Sequence, residues 1–526
     1  MLRALILALA TILAPVLVMV CGLSAAASAQ PRDGGTLVFA RGADATFLDP
    51  AMFLDGESHK VIENIFDGLA RFADGSLRVE PGLAESWDVS PDGLVWTFSL
   101  RQGVLFHDKT PFTAQAAAFS LARRTDPKHP YYREEFGKRD SSLSMIAKVE
   151  ALDARRLRIT LSEPSAAFLD ALASHSAYMV SPAAVQTWGD EFSRHPVGTG
   201  AFAFDSWQPG ERIRLVRNPD YWRGAPHLEA VVFEVVPGNT ERFLLLKTGQ
   251  AQAMDGLSPD IVSDVLKRRD LLLESLPGLN VGYLAMNMGK PPFDRIEVRR
   301  AVNHAINKAS LIKYHFQDLA MPAKNPIPPT LPGYNDAVAD YAYNPAEARR
   351  LLKEAGFPQG FTTTLWAMPV PRPYMPQPEA IAASIKANLA AVGILAELRS
   401  CDWQTYLARV YNGEHDMCLL GWVGSGADPD HFFHNLFDSV SAVAPHASNV
   451  AFFKNAEADA LIHSARRTLD SGRREEEYRE LQAIIHDQAP WVPLAHASQL
   501  WARSARAHDI VFMPSEAVLF YRAWLE

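Results

Sequence analysis

Cysteine is scarce: the 526 residues hold 3, and one of them, Cys21, lies in a leader segment. Cys401 and Cys418 remain, too few for a disulfide framework and wrongly spaced for a cysteine-based zinc site, so the fold must rest on its core. Each sits in an apolar, strand-like run and reads as a buried free thiol, although an oxidising compartment would permit one bridge between them. Beyond Ala29 no apolar run is long enough to span a bilayer, and neither an internal repeat nor a low-complexity tract interrupts the chain. Positive charge is not in excess either. The 51 Lys and Arg against 60 Asp and Glu give a net charge of −9, which offers phosphate backbones and anionic lipid no general attraction, so nucleic acid is not an expected partner. Also missing are a Gly-x-Ser-x-Gly elbow, a phosphate-binding glycine loop and a His-Glu-x-x-His helix, so catalysis has no positive sequence support.

What is present begins with residues 1–29. Arg3 precedes an apolar run from Ala4 to Cys21, then small residues ending Ala27-Ser28-Ala29, the pattern of a secretory signal cut before Gln30. Pro15 and the small-residue tail argue against an uncleaved anchor, and the bulky Val20 before Cys21 argues against lipidation. Arg3 is the leader's only charge, so cleavage takes the protein from −9 to −10. The expected product is exported, periplasmic and free of the membrane. With 48% hydrophobic residues it can bury large cores, and its length suggests about three domains.

The first half carries alternating patterns. Leu94, Trp96, Phe98 and Leu100 face one way and Thr97, Ser99 and Arg101 the other, which predicts a half-buried strand; 156–162 and 211–217 repeat the logic. Beyond about residue 290 the period becomes helical. Asn344-Pro345-Ala346-Glu347 offers an N-cap, a first-turn proline and a capping-box glutamate before Ala348, Leu351, Leu352 and Ala355, with Gly356 and Pro358 as the stop. Helices at 379–392, 404–411 and 474–487, with strands at 394–398 and 416–420, complete an α/β second half.

Two segments suit recognition. In Val370-Pro371-Arg372-Pro373-Tyr374-Met375-Pro376 the prolines predict an extended backbone presenting the Arg372 guanidinium, a fork matched to carboxylates, beside the flat face of Tyr374. A plain surface loop would read the same way. In Gly421-Trp422-Val423-Gly424-Ser425-Gly426-Ala427-Asp428-Pro429-Asp430 the glycines permit close backbone approach and Trp422 offers stacking area, while Asp428 with Pro429 reads as the cap of the next helix. His431 and His434 have helical spacing, but a third ligand is not evident and no metal is expected.

The chain resembles the dipeptide-binding proteins of the peptide and nickel class of ABC-importer receptors, solute-binding protein family 5. The ordered series that carries this is Leu83-Ala84-Glu85-Ser86-Trp87-Asp88, Leu100-Arg101-Gln102-Gly103-Val104, Pro196-Val197-Gly198-Thr199-Gly200, Pro219-Asp220-Tyr221-Trp222, Gly278-Leu279-Asn280-Val281-Gly282-Tyr283 and Val298-Arg299-Arg300-Ala301-Val302. The resemblance implies an α/β, two-lobed periplasmic-binding-protein fold of type II, cluster C-like, with an extra sheet-rich subdomain. It places lobe I at 30–62, 196–277 and 500–526, the subdomain at 63–195 and lobe II at 278–499. It implies a non-enzymatic monomer without a cofactor, delivering a peptide-like carboxylate to a permease driven by a separate ATPase.

It also implies a site. An arginine at the position of Arg372 takes the ligand carboxylate, and an aspartate in a Trp-x-Gly-Asp turn takes its ammonium. Here the turn reads Trp422-Val423-Gly424-Ser425, a departure that deprives a buried ammonium of its partner, at about 2–5 kcal/mol. Either Asp55 or Glu57, in the other ligand-facing loop, supplies the charge, or the ligand lacks an α-ammonium there: a blocked peptide, a γ-linked peptide such as glutathione, haem or a metal complex. Tyr374, Trp422 and the backbones of Gly56 and Gly424 complete the expected site.

Overall fold

The alternating segments become strands because burying one face of each removes large side chains from water. In the computed structural model, which describes residues 30–52, 55–139, 143–424 and 426–526, Val95–Leu100 buries Trp96, Phe98 and Leu100. Each such side chain contributes about 1.5–3 kcal/mol. This strand lies in a four-stranded antiparallel sheet with Ala84–Val89, Arg156–Leu161 and Ile146–Ala151, backed by the helix Ala114–Thr125. Its core gathers buried side chains from Leu69 to Met179.

A twelve-stranded mixed sheet joins the two lobes. On the lobe I side, Thr36–Arg41 runs parallel to Ala230–Val235 and Ala253–Asp255. On the lobe II side, Phe361–Trp366 runs parallel to Ile394–Arg399 and Met417–Val423. The 14-residue strand Trp491–Ser504 belongs to both sides: its first half pairs with Asn280–Met286, its second with Leu271–Pro277 and Ala253–Asp255. The chain therefore passes between lobes on two neighbouring strands, near Pro277–Asn280 and Ser498–Gln499. At this crossing the Asn280 amide replaces the main-chain ladder, accepting from Ala497 N (2.9 Å) and donating to Ala497 O (3.0 Å). A Cβ on Gly278 would overlap that amide and the same carbonyl, so only glycine fits. The lobe II core collects buried residues from Leu279 to Ala497; the main lobe I core runs from Leu37 to Trp501 and on to Ala523.

The helices form where capping and periodicity place them, at Pro345–Glu354, Pro378–Ala390, Trp403–Tyr411 and Ser471–Gln488. Asn344 caps the first by accepting from Glu347 N at 3.1 Å, but the expected capping box does not close. The Asn344 amide donates to His304 O instead, and the Glu347 carboxylate turns to Arg350. A tertiary acceptor and a nearby cation have outcompeted the local motif. Cys418 is buried in its strand as expected, whereas Cys401 lies in the turn between Ile394–Arg399 and the next helix; both are free thiols.

Candidate functional site

In sheets of parallel strands, binding loops collect at the carboxyl ends, and in lobe II those ends deliver the two segments singled out by sequence. After Phe361–Trp366 the chain reaches Arg372. The proline-rich run is not an extended rod: Arg372 N donates to Met375 O (3.1 Å) and Met375 N to Arg372 O (2.9 Å), closing a tight turn with Pro373 and Tyr374 at its corner. Proline fixes the φ that such a corner needs, and the flanking residues retain the amides that close it. Tyr374 is buried. Its ring occupies a slot left by Gly421, whose Cβ would overlap ring carbons, and its carbonyl packs where a Cβ on Gly282 would stand. Burial raises the Tyr374 hydroxyl's pKa, while the Arg372 charge acts to lower it. The Arg372 side chain is exposed, lies 5.2 Å above the Trp403 ring and bonds its Nη1 to Pro371 O at 3.3 Å. Among the described residues it has no carboxylate within 4 Å.

The second loop follows Met417–Val423. Trp422 is half-buried and its Nε1 donates to His431 Nδ1 at 3.0 Å, which fixes the indole. Gly424 is buried; its amide donates to Leu279 O at 2.7 Å and its α-carbon abuts Phe432, so this amide is not free for a ligand. Ser425 lies outside the described residues. Asp428 is structural, although the cap shifts by one residue: the helix is Asp430–Phe437, and Asp428 accepts from Asp430 N at 2.9 Å while gripping Arg474 through two 2.7 Å bonds. His431 and His434 do not converge. His434 turns to Asp438, which also receives His463, and no cluster fit for a metal exists among the described residues.

Lobe I offers a charged wall, again at strand and helix ends. Asp55 is the N-cap of the helix Gly56–Ile65, accepting from Ser58 N and Ser58 Oγ, both at 2.8 Å, and from Thr46 Oγ1. Each oxygen accepts from a neutral donor, which ties Asp55 to its helix start, and no cation pairs with it among the described residues. Glu57 bonds Lys60 at 2.8 Å, and Lys60 also pairs with Asp255. Burial alone would lower the Lys60 pKa, but Asp255, Glu57 and, more weakly, Glu516 raise it. Arg41, fully buried, donates to Glu57 O (2.8 Å) and Asp44 (2.9 Å). Gly56 is exposed, with Glu516 Oε2 3.4 Å from where its Cβ would be. Arg41, Lys60, Asp255 and Glu516 went unnoticed in the sequence because no local pattern links positions so far apart.

The subdomain meets lobe II directly. Asp170 accepts from Ala427 N at 2.9 Å, and a Cβ on Gly426 would overlap its carboxylate. Ala166 N donates to Arg466 O, and Arg467 pairs with Glu163 at 2.8 Å. Burial, with the Asp428 carboxylate adding to it, pushes Asp170 up to about 7. A separate, partly open cavity of about 50 Å³, lined by His59, Glu63, Asp67, Tyr178 and Tyr221, has room for a few waters and is too small for a peptide.

Two lobes bridged by neighbouring strands define the type II periplasmic-binding-protein architecture. The chain belongs to the bacterial extracellular solute-binding proteins, family 5, whose model ("family 5 Middle") matches residues 78–443. It is 36% identical to the dipeptide-binding protein of Escherichia coli K12, over 90% of this chain and 91% of that one. It is 34% identical to the heme-binding protein A of Haemophilus influenzae, over 95% and 94% respectively. Among solved structures, the ABC transporter-associated periplasmic binding protein DppA from Helicobacter pylori, in complex with peptide STSA, aligns with a TM-score of 0.83 at 36% identity, covering 94% of this chain and 99% of that one. The protein is thus an extracytoplasmic solute receptor of an ABC importer, a binding protein and not an enzyme. Its family implies a membrane permease and an ATPase as partners.

Proposed function

We propose that this receptor captures a small peptide-like compound by its carboxylate, with Arg372 as the guanidinium that holds it, and that a plain α-linked dipeptide is not its preferred cargo. The observation that carries this reading is Arg372 itself: an exposed guanidinium on a closed turn at a strand end, braced by Trp403 and without a carboxylate partner among the described residues. An arginine fork so placed can donate two parallel hydrogen bonds to a carboxylate. Ser425, standing where the family's turn carries an aspartate, argues against ammonium capture at the family's usual place. A γ-linked peptide such as glutathione meets these conditions. Haem, which also bears carboxylates, is the second reading, supported by the likeness to a heme-binding protein. Trp422 supplies aromatic surface and Gly56 open backbone, while Tyr374, buried, packs beneath the Arg372 turn. Ligand contact with both lobes favours the closed arrangement, which the permease then receives, and the cargo leaves unchanged.

The test is thermal denaturation of the mature protein with glutathione, an α-dipeptide, haem and the carboxamide of each peptide, alongside native mass spectrometry of freshly purified material. A ligand at a hundred times its Kd adds about 2.7 kcal/mol. Free carboxylates are expected to stabilise and carboxamides not to; equal stabilisation by a peptide and its carboxamide overturns the reading.

A further inference from the structure

Of the carboxylates on the lobe I wall, Asp44, Glu57 and Asp255 pair with a cation, and Asp55 and Glu516 do not. Asp44 is bonded to Arg41, Glu57 and Asp255 to Lys60, and Asp55 to the start of its helix. Among the described residues, Glu516 accepts a single hydrogen bond, from Gln499 Nε2 to Oε1 at 2.7 Å. Its Oε2 lies over the exposed backbone of Gly56. Glu516 occupies the turn between Val511–Phe512 and Val518–Leu519 at a φ of +71°, a left-handed conformation in which glycine or asparagine is expected. A glutamate there is strained, and strain of this kind persists where the side chain has a task.

Its position gives the task a direction. Gln499, which holds it, stands on the strand that passes through both lobes, beside the crossing to lobe II. Tyr374, in the Arg372 turn of lobe II, has a hydroxyl on which the Arg372 charge and, more weakly, the Glu516 charge both act. Lys60, on which the Glu516 charge acts, is already held by Asp255 and Glu57. An exposed guanidinium without a carboxylate partner among the described residues and an incompletely satisfied carboxylate on the other lobe thus act on the same phenol.

We propose that Glu516 is the specificity residue for the cationic end of the ligand, so that the receptor selects zwitterions that place a carboxylate on Arg372 of lobe II and an ammonium on Glu516 of lobe I. Such a ligand is gripped from both lobes at once, so its two charges are both satisfied only when the lobes are together. This rests on the reading of Arg372 as the carboxylate site, and the experiment keeps the two apart.

Isothermal titration of the mature protein uses glutathione, N-acetylated glutathione and alanyl-alanine as probes. Glu516→Gln is expected to weaken the free-amine probes at least tenfold and to leave the N-acetylated probe within twofold of the wild type. Glu516→Gly is expected to weaken the same probes while raising the melting temperature of the unliganded protein, because it removes the carboxylate and relieves the backbone together. Arg372→Ala should weaken all three. The Glu516 assignment is overturned if Glu516→Gln holds the free-amine probes within twofold, if the wild type binds the N-acetylated form as tightly as glutathione, or if it binds neither free-amine probe. Discrimination at Glu516 that persists while Arg372→Ala binds normally supports the cation site and overturns the carboxylate reading alone.

Discussion

Substituting Gly421 by alanine probes the link between packing and recognition. The added Cβ would overlap two carbons of the Tyr374 ring and stand 2.6 Å from Val281 O, where real Cβ atoms keep beyond 3.0 Å. The carbonyl cannot retreat, because Val281 is paired with Trp422 in the sheet. The ring must therefore shift by about 1 Å, and overpacking of this kind costs about 1–3 kcal/mol. For a lobe of roughly 220 residues that lowers the melting temperature by about 2–12 °C. The ring sits two residues from Arg372 in a closed turn, so the guanidinium moves with it, and a misplacement of about 1 Å weakens a directional carboxylate bond. We expect calorimetry to show the fall in melting temperature and titration to show at least tenfold weaker binding. Tyr374→Ala alone leaves a cavity costing about 3–5 kcal/mol, by analogy with other large aromatic truncations. Combined, the two changes should be less destabilising than their sum, since the new methyl enters the space the ring vacates. A Gly421→Ala protein with wild-type stability and affinity, or strict additivity in the double variant, refutes the claim that this slot positions the arginine.

Other consequences follow from buried charge. Contact between the subdomain and lobe II raises Asp170 from its ordinary 3.8 to about 7, so the contact takes up a proton. It is strongest below about pH 4, weakens as pH climbs to about 7 and is level above that. Asp170→Asn should remove this dependence, so that its melting temperature relative to the wild type rises across that range and then stays flat; a constant difference would exclude Asp170 as the group responsible. Arg474→Met strands the Asp428 carboxylate and should cost about 3–5 kcal/mol in chemical denaturation, with part recovered by adding Asp428→Asn; a loss below about 1 kcal/mol would contradict the pairing. Burial raises the Cys418 thiol, while Cys401 is half-exposed, so a thiol reagent should label one cysteine in the native mature protein and two after denaturation. Two rapid equivalents in the native state would show that Cys418 is accessible.

The elements of the fold were legible wherever a local rule governs them. Alternation gave Val95–Leu100, and Asn344-Pro345 and Gly356 bounded Pro345–Glu354, because neighbours in sequence are neighbours in the element. Rules that compete with tertiary contacts failed: Glu347 left its capping box for Arg350, and the prolines around Arg372 made a turn, since the amides of Arg372 and Met375 could close one. Of the site, the segments around Arg372 and Trp422 were visible through family resemblance and through residue chemistry. Their surroundings were not. That Asp55 is a cap was readable in Asp55-Gly56-Glu57-Ser58, yet its acidic character drew a functional interpretation first. Glu516 with Gln499, Asp170 with Ala427 and Asp428 with Arg474 are pairings across 17 to 257 residues that only the folded chain brings together.

The proposed mode of capture depends on the Arg372 guanidinium gripping a carboxylate. Titration calorimetry of Arg372→Ala beside the wild type, using the carboxylate ligand that most stabilises the native protein, measures this directly. Loss of a charge-assisted bond in a closed cleft is expected to cost about 2–5 kcal/mol, at least a thirtyfold rise in Kd, with the unliganded melting temperature unchanged. Affinity within twofold of the wild type would contradict it.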